Sequence, residues 1–253
     1  EPDAGSDLQS LRLAAKKDGT DYLLNGTKTW ISNGIYGNCL AVLTKTDPTV
    51  SPAHRGMSLF ICEKGEGFTV GKKLKKLGYR AIDSAELIFD NFRVSADNLV
   101  GGEEGRGVQQ VAGGLELGRI NIAARGAGMA KGATNMALHY AMERKTFGKT
   151  IAEHQAIQLK LAEMSTRAAA AELLVHQAAT KFDQQERCDL EAGQAKFFAS
   201  EAAVQNSLDA MRVFGGYSYS PDYEIERFYR DAPLLCIGEG TNEIQRMIIA
   251  KQM

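Results

Sequence analysis

The sequence predicts an α+β fold, a small β-barrel or sandwich followed by a helical bundle, on three observations. Up to Gly101-Gly102 the apolar residues come in short runs bounded by Gly, Pro, Asp or Asn, the pattern of strands joined by turns. Beyond that point Ala, Leu, Glu, Gln and Met dominate, all good helix formers. Of the five prolines (Pro2, Pro48, Pro52, Pro221, Pro233), none lies between Ala53 and Ser220, which leaves room for long unbroken helices. The expected domains are 1–102 and 103–253.

In the first domain, Thr27 to Ser32 alternates as a strand should, between the turn dipeptides Asn25-Gly26 and Asn33-Gly34. Asp18-Gly19 precedes a strand at Tyr22 to Leu24. Further strands are expected at Cys39–Leu43, Met57–Cys62, Phe68–Val70 and Ala85–Phe89. In the second domain one long helix runs from about Gly105 to Lys145. Its glycines (Gly113, Gly114, Gly118, Gly126, Gly128, Gly132) each cost roughly 1 kcal/mol relative to Ala, so close approach of a helix or ligand is expected there. Later helices are expected at about Glu153–Phe182, Asp189–Phe214, Asp222–Arg230 and Asn242–Lys251. Ile157, Leu161, Met164 and Ala168 keep the spacing of a core-facing stripe. Pro233 is read as part of a turn after the short helix.

The 253 residues are 44% hydrophobic, with 30 Lys and Arg against 31 Asp and Glu. That balance argues against general nucleic-acid affinity, and no apolar run is long enough for a transmembrane helix. Four dispersed cysteines without a C-x-x-C, and four dispersed histidines, point to buried reduced thiols and to no metal site.

Three glycine-containing interruptions of the helical half are candidate sites: Arg144 to Gly148, Phe214 to Tyr217 and Gly238 to Glu243. In the third, Glu239 lies between two glycines, before a helix that Thr241 or Asn242 would cap. A carboxylate there, in the apolar setting of Leu234, Leu235 and Ile237, suits a general base. A capping carboxylate is the structural alternative. Arg144 and Thr146 offer a guanidinium and a hydroxyl at a helix end, suited to a phosphate. Trp30, the sole tryptophan, suits stacking on a planar ligand as well as it suits a core. No G-x-G-x-x-G follows a strand, so a Rossmann-type dinucleotide site is not expected.

Together these motifs resemble the acyl-CoA dehydrogenases, flavoenzymes of fatty acid and amino acid breakdown. Glu1-Pro2-Asp3-Ala4-Gly5-Ser6-Asp7 resembles the family's T-E-P-x-A-G-S-D segment without its leading Thr. Trp30-Ile31-Ser32-Asn33 matches W-I-[TS]-N. Glu143 to Lys149 with His154-Gln155, Phe214-Gly215-Gly216, and Glu239-Gly240-Thr241 follow in the family's order across the whole chain. The resemblance implies a three-part enzyme, of which this chain holds the middle β domain and the C-terminal four-helix bundle. A piece lacking the N-terminal helical domain is therefore expected.

The resemblance also implies the chemistry. FAD would be contacted by Glu1, Ser6, Trp30, Ile31 and Ser32. From the bundle it would be contacted by Arg144, Lys145, Thr146, Phe147, His154, Gln155, Arg212, Gly215, Gly216, Thr241, Asn242 and Glu243. The acyl-CoA substrate would meet Ser6, Glu116, Leu117, Gly118, Arg119, Gly238 and Gly240. Glu239 would take the α-proton while the β-hydride passes to flavin N5, giving a trans-2-enoyl-CoA. Electrons would pass to an electron-transferring flavoprotein. The implied assembly is a homotetramer, a dimer of dimers, placed in the bacterial cytoplasm or the mitochondrial matrix. A flavin oxidase using O2 and a catalytically silent flavin-binding subunit are the alternatives. Some members carry the base immediately before the Arg of the first bundle helix, where this chain has Gly118. The residue before the base is usually Tyr and here is Gly238, which implies room for a bulky, branched or cyclic acyl group. Arg212 replaces a Gln usual in the family.

Overall fold

A computed structural model describes all residues, 1–253. The chain divides into two compact units, Glu1–Gly114 and Leu115–Met253.

The first unit is one six-stranded mixed sheet. Its strands are β1 (Ala14–Asp18), β2 (Asp21–Ser32), β3 (Cys39–Lys45), β4 (Met57–Glu63), β5 (Phe68–Lys73) and β6 (Ser84–Ser95), in the order β4-β3-β1-β2-β6-β5. Only the β1–β3 pairing is parallel. The sheet curls about a single core of Leu13, Tyr22, Leu24, Phe60, Leu87, Phe89 and Phe92, with others. Tyr22 on β2 and Phe60 on β4 lie three strands apart, yet their ring centroids are 4.9 Å apart. In a flat sheet that separation would be about 14 Å.

Two details depart from the sequence reading. Asn25-Gly26 makes no turn. It lies inside β2, where the register to β6 shifts between Leu24 and Gly26. Gly26 has φ +142°, and a Cβ there would stand 2.8 Å from Leu13 Cα, so the residue serves a bulge and a close approach. Strand β1 was not read at all, because Ala-Ala-Lys-Lys-Asp buries only Ala15 and shows no apolar alternation.

The second unit is helical: α1 (Gly107–Glu143), α2 (Gln155–Asp183), α3 (Asp189–Phe214), α4 (Ile225–Ile237) and α5 (Asn242–Gln252). The first turns of α1 belong to the β unit, where Val108 and Val111 pack on Leu11, Leu43 and Met57. Alanines of α1, α2 and α3 form much of the helical core, joined by the stripe of Ile157, Leu161 and Met164. Small residues bring helices close. A Cβ on Gly126 would stand 2.7 Å from the Ala199 carbonyl oxygen, so the glycine is required by contact between α1 and α3. Gly113, Gly114 and Gly128 have nothing within 4 Å, so close approach does not explain them.

Three further expectations are corrected. Pro233 lies inside α4, which runs on to Ile237. Burial of Ile225, Ala232 and Leu235 outweighs the hydrogen bond that Pro cannot donate. Thr146 does not end a helix. It lies in a tight hairpin of β7 (Lys145–Thr146) and β8 (Lys149–Thr150), with Phe147 and Gly148 at φ +51° and +81°. The thiols are free but not all buried: Cys62 and Cys188 are buried, Cys236 is half-buried and Cys39 is exposed.

Candidate active site

The segment between α4 and α5 carries Glu239. Thr241 caps α5, its hydroxyl accepting from the Ile244 amide at 3.4 Å. Glu239 holds φ +54° and Gly240 φ +81°. A non-glycine residue in that region costs about 1–3 kcal/mol and persists where its surroundings hold it. Lys196 Nζ donates to the Gly240 carbonyl at 2.8 Å, and Gln245 Nε2 donates to the Glu239 and Gly240 carbonyls at 3.3 and 3.2 Å. The Glu239 side chain meets α1. A Cβ built on Gly118 would lie 2.9 Å from its Oε2 and 3.2 Å from its Cδ, so Gly118 leaves the space the carboxylate uses. The apolar seat expected for Glu239 is only partly there. Leu235 is buried, but Glu239 itself, Leu234 and Ile237 are exposed, the last two at 42% and 63%.

On either side of Gly118 in α1, Glu116 and Arg119 line up with the start of α3. Arg119 Nη1 is 3.6 Å from Asp189 Oδ1, and its buried Nε has no partner. Burial, then the charge of Asp189, push the Glu116 carboxyl up. Glu116, Arg187 and Asp189 line an open cleft of about 800 Å³. Leu117 is exposed.

A second cavity, of about 470 Å³, lies where α1 ends and α3 ends. Arg144, Thr146, Phe214, Gly215, Gly216 and Tyr217 line it, with Tyr140 stacked on Phe214 at 4.2 Å between centroids. The Arg144 guanidinium sits 5.7 Å from the Tyr217 ring centre. Thr146 Oγ1 and His154 Nε2 are 3.0 Å apart. A Cβ on Gly215 or Gly216 would meet nothing within 4 Å, leaving that backbone open to a ligand. A cation, a hydroxyl and bare backbone around one cavity fit a phosphate-bearing group. Phe147 is 95% exposed beside it, and Lys145 and Gln155 are exposed.

In the β unit, Trp30 sits where the β2–β6 register shifts between Lys28 and Ile31. It has φ +60° and is 62% exposed, so the core alternative is ruled out and the ring is free to stack. Ser6 and Ser32 are also exposed, whereas Ile31 packs against the sheet core.

The model of the acyl-CoA dehydrogenase middle domain matches residues 1–92, and that of the acyl-CoA dehydrogenase C-terminal domain matches residues 105–253. The chain belongs to the acyl-CoA dehydrogenase family. It is 47% identical to an acyl-CoA dehydrogenase of Bacillus subtilis, over all of this chain and 66% of that protein. Against the cyclohexane-1-carbonyl-CoA dehydrogenase of Geobacter metallireducens it is 41% identical, again over all of this chain and 66% of the relative. The crystal structure of acyl-CoA dehydrogenase from Geobacillus kaustophilus superposes with a TM-score of 0.97 at 40% identity, covering 100% of this chain and 66% of that one. The chain thus spans about two thirds of the length of these relatives. No helix is long and apolar enough to cross a membrane.

Set against the acyl-CoA dehydrogenase pattern, some expected flavin contacts also have partners within the protein. The Glu1 carboxylate accepts from the Arg12 and Leu13 amides at 2.6 and 3.1 Å and from Lys28 Nζ at 2.8 Å. Burial works against its charge, but these partners hold the carboxyl below its usual range. These bonds tie it to Arg12 and Leu13 ahead of β1 and to Lys28 of β2. Asn242 is fully buried, accepting from Lys196 and Ser200 and donating to Glu201, so its side chain is turned into the helical unit. Arg212 is held to Asp209 at 3.2 Å but stays more than half exposed. Glu243 is exposed and pairs with Arg246 at 3.6 Å. The sequence reading missed Lys196, whose burial depends on four segments meeting, and Tyr140, which stacks on Phe214 beside the Tyr217 that the reading did include.

Proposed function

We propose that this chain belongs to an enzyme that dehydrogenates an acyl-CoA thioester between its α and β carbons, with Glu239 as the base for the α-proton. The observation that carries the reading is the Glu239 carboxylate resting against Gly118. The two positions from which the family draws its base are in contact, and only one holds a carboxylate.

The residues present fit a flavin. Trp30, Ser32 and Ser6 of the β unit would contact FAD, and Arg144 and Thr146, beside the open backbone of Gly215 and Gly216, would meet a cofactor's phosphates across a subunit interface. When bound, FAD supplies the acceptor for the β-hydride and passes electrons to an electron-transferring flavoprotein. The backbone N–H of Glu239 would donate to the thioester carbonyl, favouring enolate-like charge and acidifying the α-C–H. Glu239 then removes that proton. Glu116 and Arg119 would orient the thioester arm. The assembly proposed with this reading is the homotetramer that the family resemblance implies.

For the substrate we infer a bulky or cyclic acyl group. Gly238 has φ −69° and ψ 158°, open to any residue. A Cβ there would meet only the Leu234 carbonyl oxygen, at 3.5 Å. The fold does not demand glycine, so the missing side chain is free to serve the pocket. The 41% identical relative named for cyclohexane-1-carbonyl-CoA agrees with this. Turnover of a panel of acyl-CoAs with an artificial electron acceptor, and peroxide measured in air, tests the reading. Enoyl-CoA formation is expected without stoichiometric peroxide. Gly238→Tyr should cut kcat/KM for cyclic acyl-CoAs by roughly 10- to 200-fold relative to butyryl-CoA. A wild-type preference for butyryl-CoA contradicts the substrate assignment.

Gly118→Ala gives a second expected outcome. The new methyl displaces the carboxylate, while Ala favours the helix by about 1 kcal/mol. Turnover should fall by roughly 10- to 100-fold with melting temperature equal or higher, measured by steady-state kinetics beside calorimetry.

A further inference from the structure

Lys196 is the one fully buried lysine, at 0% exposure about two turns into α3. Its ammonium has three donors and three acceptors around it. These are the Cys236 carbonyl at 3.2 Å, the Gly240 carbonyl at 2.8 Å and Asn242 Oδ1 at 2.9 Å. They come from the end of α4, from the residue after Glu239, and from the first residue of α5. One cation thus ties both flanks of the Glu239 segment to α3. The Cys236 carbonyl belongs to the last turn of α4, where a positive charge also meets the helix dipole.

Such an arrangement is expensive. A buried charge opposes folding unless its partners compensate, and apolar residues would fill the site at less cost. Its acceptors do not all need it. The Gly240 carbonyl also accepts from Gln245 Nε2 at 3.2 Å, and Asn242 Oδ1 also accepts from Ser200 Oγ at 3.1 Å. Only the Cys236 carbonyl depends on Lys196 among the bonds described above. What the lysine alone provides is a fixed tie across a segment whose Glu239 holds φ +54°.

We propose that Lys196 is a positioning residue, holding the Gly238–Thr241 segment so that the Glu239 carboxylate stays at its place against Gly118. The inference rests on the reading of Glu239 as the base.

Its charge state gives a distinctive readout. Burial pulls the Lys196 pKa down to about 8, against the opposing influence of Cys236, Glu243, Glu201 and Glu239. Below that pH the ammonium makes all three bonds. Above it the neutral amine has two donors, and one tie is lost. Activity should therefore fall as pH rises through about 8. Stability should move the other way. Between about 8 and the ordinary 10.5 the unfolded chain binds the extra proton, so this group makes stability rise with pH. A purely structural lysine would not produce opposite trends.

The test uses the FAD-loaded enzyme carrying this chain, as wild type, Lys196→Met and Glu239→Gln. Lys196→Met should lower kcat roughly 10- to 100-fold with KM little changed, lose the alkaline fall near pH 8, and keep or raise the melting temperature at pH 7. Amide hydrogen exchange over Gly238–Ile244 should be at least about tenfold faster than in wild type. The proposal is overturned if exchange there is unchanged, or if activity falls only in proportion to the loss of folded protein. Glu239→Gln separates the two claims. If it retains turnover, the base assignment fails, while the exchange data still decide whether Lys196 holds the segment.

Discussion

Glu239→Gln should remove most turnover and leave the rest of the protein intact. The substitution keeps size and shape but deletes the proton acceptor. General-base catalysis contributes about 10²- to 10⁴-fold, and kcat should fall by that factor. KM should change little, since an amide fills the same space. Glu239 is exposed and its side chain has no described ion pair, so surface-type stability effects within about 0.5 kcal/mol are expected. Bound flavin should be retained, because the residues proposed to hold it lie elsewhere in the sequence. Steady-state assays, flavin absorbance and a thermal melt on the same preparation check all three statements. A variant that loses flavin or melts early would show Glu239 to be structural.

Asp209→Ala should be the most destabilising polar substitution in the helical unit. Asp209 is 4% exposed and gathers Arg167 at 2.5 Å, Arg212 at 3.2 Å, Lys160 at 3.4 Å and Gln205 at 3.2 Å. Removing the anion leaves three cations facing one another on α2 and α3. Breaking a buried pair by deleting one partner costs about 3–5 kcal/mol; here the three cations keep 24–57% exposure, so water takes up part of the loss and about 2–3 kcal/mol is expected. For a unit of this size that lowers the melting temperature by about 5–10 °C. The loss should propagate to the cavity beside Gly215, since Arg212 is held by the same carboxylate. Acid should act in the same direction. Burial opposes the Asp209 charge, but hydrogen bonds from Gln205 and Arg167 and the nearby charges hold its carboxyl below the ordinary 3.8. Its contribution is complete above that value and is lost as pH falls through the lower folded pKa. Asp209→Asn should flatten this part of the acid unfolding curve.

Much of the architecture was legible because the helical half obeys simple rules. Good helix formers run without proline from α1 to the end of α3, and the stripe from Ile157 to Met164 keeps helical spacing. Where local rules misled, tertiary packing had outweighed them. Pro233 reads as a break but sits in a helix anchored by Leu235 and Ile225. Asn25-Gly26 reads as a turn but serves a bulge against Leu13. Strand β1 gave no periodic signal, since a central strand of lysines and alanines takes its order from neighbours on both sides. At the site, residue types and order were readable, but environment was not. Nothing local says that Trp30 faces outward, that Asn242 is turned inward, or that Lys196 lies fully buried. Each depends on which segments meet. The left-handed conformations are likewise a property of the folded chain: Trp30, Asn33, Phe147 and Glu239 fall within the motifs, whereas Tyr79, Asn91 and Gln185 share the conformation outside them.

The most direct test is a single-turnover experiment without oxygen. Flavin-loaded wild type and Glu239→Gln are mixed with an excess of a cyclic acyl-CoA, and the flavin absorbance is followed. Wild type should bleach within one turnover, with enoyl-CoA formed in equal amount. Glu239→Gln should keep its oxidised spectrum, bleaching at least about 100-fold more slowly. Bleaching of the variant at the wild-type rate would contradict the assignment of Glu239, and no bleaching of wild type by any acyl-CoA would contradict the activity itself.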